Sequence, residues 1–138
     1  MNNTSKIVDH YFVPWWSEKR IPDDPSHTME LIWWLNKQYP IGTVTLAMCN
    51  DGQGRSLTFS AIVVSESVLF NPGEVEEDLV DAITKMRKYH SCVVKKEEDY
   101  LFIHACLVYS AMHNGILGQD VSSNTEIMFE RIIRIRGQ

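Results

Sequence analysis

The chain has 138 residues, 44% of them hydrophobic and 22% charged. That length suits one domain, and that composition excludes wholesale disorder. Thirteen basic residues against eighteen acidic ones leave a net charge of −5, which argues against a nucleic-acid coat or a polybasic membrane binder.

Ile7 to Val13 is rich in β-branched and aromatic residues, and reads as a strand ended by Pro14. A helix is expected from Asp24-Pro25 to Gln38: Asp24 can cap it, Pro25 suits its first position, and Tyr39-Pro40 ends it. Thr43 to Cys49 and Leu57 to Val64 are two further β-prone runs around Asn50-Asp51-Gly52-Gln53-Gly54. Glycine supplies the positive φ that a tight turn demands, so a hairpin is the natural expectation. A Gly-rich loop of this kind can also cradle phosphate, but only with a helix N-terminus behind it and usually a Lys; Leu57-Thr58-Phe59 reads instead as a strand.

Asn71 to His90 carries the clearest pattern. Asn71 can cap, Pro72 can open the helix, and Val75, Leu79, Ala82, Ile83, Met86 and Tyr89 share one face at 3.6 residues per turn. Ser91 to Lys95 suits a short strand. Glu97 to Asn114 reads as a second strong helix, acidic at its start, closed by Asn114-Gly115 and apolar nearly all round. Thr125 to Arg136 fits either a strand or a helix. The order β-α-β-β-α, with a further helix and a C-terminal element, predicts a single α+β domain over residues 1–138: an antiparallel sheet covered by two or three helices, with a ferredoxin-like core as one arrangement.

The cysteines, Cys49, Cys92 and Cys106, are odd in number and have no CxxC spacing, which predicts reduced thiols and a cytoplasmic protein. Met1 to Lys6 is polar, unlike a signal peptide. The most apolar stretch, Tyr100 to Met112, is shorter than the roughly 20 residues a bilayer span needs.

No motif names a reaction. His10, His27, His90, His104 and His113 show no zinc-ligand spacing, so neither a metal nor another cofactor is expected. Cys106 and His113 share a helical face, but seven residues of helix span about 10 Å, too far for a direct thiol–imidazole bond. The acids Glu74, Glu76, Glu77 and Asp78 read as a solvated helix start.

The tryptophans are more informative, coming as the doublets Trp15-Trp16 and Trp33-Trp34. Trp34 falls outside the apolar arc of its helix, among His27, Glu30, Lys37 and Gln38. An indole so placed either covers a second apolar layer or meets a partner. Trp15, Trp16, Trp34 and Glu30 are therefore the candidate partner-binding residues. Arg131, Arg134 and Arg136 are candidates for an anion or ligand.

Taken together, these readings predict a small acidic protein that inhibits or regulates a protein partner by contact, as an immunity protein or a mobile-element antagonist of host defence would. Nucleic acid and membrane are not expected as partners. The alternatives are a homo-oligomer binding a nucleotide and a small enzyme using Cys106 with His104 or His113.

Overall fold

The computed structural model describes residues 5–18, 20–70 and 78–118. Over these residues the chain forms four helices: α1 (Ser26–Gln38), α2 (Arg55–Phe70), α3 (Leu79–Arg87) and α4 (Glu97–His113). The long helix α4 is the hub, with α1 and α2 packed against it and α3 packed on α2.

Helix α4 takes this place because its sequence has almost no polar face. Phe102, Ile103, Ala105 and Cys106 are fully buried, and the acidic residues Glu97, Glu98 and Asp99 are confined to its first turn, where the helix dipole favours them. It ends as expected: Asn114 caps it and Gly115 takes φ +69°. Around Phe102 and Ile103 lie Met29 and Ile32 from α1, Ala61 and Ile62 from α2, Leu79 and Ile83 from α3, and Val93. Trp16 seals one end, its ring edge-on to Phe102 with centroids 5.3 Å apart. Glu66, buried on α2, joins three helices: its Oε1 accepts from Trp33 Nε1 on α1 at 3.2 Å and from Ser110 Oγ on α4 at 3.3 Å.

Helix α1 begins one residue later than expected. Pro25 is its N-cap residue, while the Asp24 carboxylate accepts from the Ser26 amide at 2.8 Å. In α3 the cap is Asp78, which accepts from the Asp81 amide at 2.8 Å. The expected cap at Asn71-Pro72 and the face residue Val75 lie outside the described residues. Leu79, Ala82 and Ile83 are buried as their spacing requires, but α3 stops at Arg87, so Tyr89 lies beyond it and is exposed.

The α+β expectation is overturned: no strand occurs among the described residues, so neither an antiparallel sheet nor a ferredoxin-like core is present there. The decisive segment is Leu57 to Val64, which lies inside α2. Its buried positions, Thr58, Ala61, Ile62, Ser65 and Glu66, recur at helical spacing, and this burial overrides the β-propensity of the individual residues. A hairpin needs two strands, so with one arm helical, residues 43–49 have no partner and run without regular structure. Ile7 to Val13 likewise forms no strand. Ile7, Val8, Phe12, Ile41, Val44 and Leu46 are consequently exposed. Ser91 to Lys95 is a turn in which Val94 takes φ +54°, with Arg87 donating to the carbonyls of Val93 and Val94 at 3.0 and 2.8 Å. Residues 125–136 lie outside the described residues.

Candidate functional site

The loop from Cys49 to Gly54 feeds directly into α2, whose first residue is Arg55. Gly52 takes φ +68°, which turns the chain sharply enough to bring Cys49 back toward the helix start. The Cys49 Sγ lies 3.2 Å from Ser56 Oγ and donates to Asp51 Oδ1 at 3.4 Å. The same Oδ1 accepts from the backbone amides of Gln53 at 3.0 Å and Gly54 at 3.4 Å. Successive amides converging on one oxygen, just ahead of a helix N-terminus, form a concavity that holds anions.

Two tethers tie the stretch from Trp16 to Glu18 to this loop. Arg55 donates from a terminal guanidinium nitrogen to the Trp16 carbonyl at 3.0 Å, and Asn50 Nδ2 donates to Glu18 Oε1 at 2.7 Å. Trp16 is fixed by its burial against Phe102, so the tethers place Glu18 beside the thiol loop. The result is a cleft of about 360 Å³ lined by Glu18, the Asn50–Arg55 loop, Lys95, Lys96 and Asp99. The last three stand at the start of α4, so two helix N-termini face one cleft.

The environment tunes the ionisable groups. Burial alone would push the Cys49 thiol up. Hydrogen bonds from the Ser56 side chain and backbone and from the Gly52 amide outweigh both that and the opposing contact with Asp51, leaving the thiol below its ordinary value. Asp51 is held below the usual carboxylate range, first by the Gln53 amide, then by the Cys49 thiol and the Gly54 amide. Burial pushes Asp99 the other way, against the opposing pull of Lys96 and Thr58. A thiol held below its ordinary value on an amide-lined loop, next to a cleft that carries a guanidinium and carboxylates, has the groups needed to bind a phosphate ester and attack it.

The residues singled out from sequence are dispersed by comparison. Trp16 is core and reaches the cleft only through its carbonyl. Trp15 is partly exposed, 5.8 Å from the His27 ring. Trp34 is 40% exposed, and Tyr11 packs edge-on against it at 5.0 Å. Glu30 is exposed on α1. Arg131, Arg134 and Arg136 lie outside the described residues. The Cys106 pairings fail on geometry: Cys106 is fully buried, His113 stacks on Trp33 at 4.2 Å, and His104 packs edge-on to Tyr100 at 4.6 Å. Burial pushes the Cys106 thiol up, away from nucleophilic character.

Sequence reasoning missed Cys49, Arg55 and Glu18. The available signal was a cysteine and an arginine bracketing Gly52 and Gly54. The condition set for a phosphate cradle, a helix directly behind the loop, is met once Leu57 to Val64 is helical, with Arg55 supplying the cation where Lys was sought.

A family model described as protein-tyrosine phosphatase matches residues 1–109, the span that contains the whole cleft. No curated protein and no solved structure matches the chain. The family match overturns the expectation of an inhibitor, immunity-type or anti-defence protein acting by contact alone, because it points to an enzyme.

Proposed function

The chain belongs to the protein-tyrosine phosphatase family, and from that premise we propose that it hydrolyses phosphotyrosyl esters, with Cys49 as nucleophile. The observation that supports this most directly is the Cys49 sulfur held between Asp51 and Ser56, on an amide-lined loop whose following helix opens on Arg55.

The chemistry follows from the groups at the cleft. The substrate phosphate takes the loop amides and the Arg55 guanidinium as donors, which neutralise its charge and fix its orientation. The Cys49 thiolate attacks phosphorus, the P–O bond to the phenol breaks, and the leaving oxygen takes a proton from the Glu18 carboxyl group. A phosphocysteine remains. Water then attacks the phosphorus, giving its proton to Glu18, and the S–P bond breaks to return the thiolate and release inorganic phosphate. Glu18 is assigned the proton because the Asn50 and Arg55 tethers hold its stretch against the loop that follows Cys49, and it lines the same cleft as that loop. Lys95 and Lys96 line the same cleft, where their charge favours an anionic substrate.

The test is phosphate release from a phosphotyrosyl peptide. Cys49→Ser is expected to lower kcat by about three orders of magnitude or more. Glu18→Gln should lower it about 10²-fold, with a smaller loss on an ester whose leaving group needs no proton. Turnover that survives Cys49→Ser would remove the nucleophile and the proposal with it.

A further inference from the structure

We infer that Asp51 is a built-in competitor for the phosphate site, its carboxylate occupying the amide cradle until substrate displaces it. The inference rests on the phosphatase reading of the cleft and concerns the regulation of that same site. One oxygen, Asp51 Oδ1, accepts from the Gln53 amide at 3.0 Å, from the Gly54 amide at 3.4 Å and from the Cys49 thiol at 3.4 Å. A substrate poised for attack must put its phosphorus about 3–3.5 Å from the sulfur. Its oxygens must also take the loop amides, which are the groups pointing at the anion site. The carboxylate and the phosphate therefore claim the same donors and the same space. They cannot bind together in this geometry, and their like charges add to the exclusion.

Nothing in the core holds Asp51 in place. Its side chain is exposed, so rotation about its side-chain bonds carries the carboxylate into water without disturbing packing. The exchange favours a ligand with more charge and more acceptor oxygens than a carboxylate. A phosphate dianion offers both, so Asp51 acts as a filter against weaker anions as well as a brake on substrate binding. Its charge also stands next to the sulfur, where it favours the protonated thiol.

Inorganic phosphate, titrated by calorimetry into the full chain, tests the inference with Asp51→Asn, Asp51→Ala and Arg55→Ala. Asp51→Asn keeps an oxygen acceptor for the Gln53 and Gly54 amides, so it preserves the turn while removing the charge. Both Asp51 variants should bind phosphate about tenfold more tightly than the wild type, the scale of one close like-charge contact removed. The pH profile of Cys49 alkylation by iodoacetamide should move to lower pH in the same variants, a shift that a purely structural role for Asp51 would not produce. If both variants bind phosphate no more tightly than the wild type, while Arg55→Ala loses it, the competitor is overturned and the cradle stands. If phosphate binds to neither the wild type nor the Asp51 variants, the cradle reading fails and the competitor falls with it.

Discussion

Cys49 and Cys106 are chemically identical thiols whose surroundings drive them to opposite ends of reactivity. Cys49 stands on a loop, half-buried, with a hydroxyl, backbone amides and a helix N-terminus stabilising its anion. Cys106 sits in the middle of α4 beneath the packed core, where burial suppresses ionisation and nothing arrives to be attacked. A search for a nucleophile among the helical residues favours Cys106, because it has histidines near it in sequence. The structure shows that neighbours in sequence matter less than which backbone amides a thiol can see.

The largest expected contrast is in labelling. At neutral pH, Cys49 should react with iodoacetamide at least about 10²-fold faster than Cys106, which should be modified only after denaturation. Peptide mapping by mass spectrometry checks this, and equal rates would erase the distinction. Stability should divide the pair the other way. Cys106→Ser places a hydroxyl in an apolar site and is expected to cost about 1–3 kcal/mol in urea unfolding. Cys49→Ser should stay within about 0.5 kcal/mol of the wild type.

Alkaline pH sharpens the comparison further. The folded state raises the Cys106 pKa above its ordinary 9.0, so folding is favoured while the unfolded thiol is also protonated. As pH climbs past that ordinary value the unfolded chain ionises first and stability falls. The Cys106→Ala variant should lack this component of the loss in urea titrations at rising pH. The folded state lowers the Cys49 pKa, so its contribution has the opposite sign: present above the unfolded value and lost as pH falls through the folded one. The smallest effect is expected from Ser56→Ala, which removes one hydrogen bond to the Cys49 sulfur. Its alkylation profile should move to higher pH while Cys106 remains silent.

What the sequence made legible was the strongly patterned part. Helices α1 and α4 fall close to their expected spans, because each is bounded by a capping signal and broken by Pro or Gly. Helix α3 shows the expected face at Leu79, Ala82 and Ile83. Helix α2 was hidden because Phe59, Ile62, Val63 and Val64 favour strands individually, and the small polar residues Ser56, Thr58 and Ser65 disguise its buried stripe. That single misreading concealed the candidate site. A loop ahead of a strand is a hairpin turn, whereas the same loop ahead of a helix has convergent amides and a favourable dipole for an anion. The indole of Trp34 drew attention as a binding residue because its neighbours on the helix are polar, a pattern that cannot reveal the Tyr11 ring packed against it.

Trp16 has a mechanical consequence. Its indole is wedged against Phe102 while its carbonyl is gripped by Arg55, so the backbone at this point is pinned from both sides. Only Ser17 separates this anchor from Glu18. The acid-bearing stretch is thus a short span anchored at both ends, by Trp16 on one side and by the Asn50 amide on Glu18 on the other, so the carboxylate keeps its place without a large flap of its own.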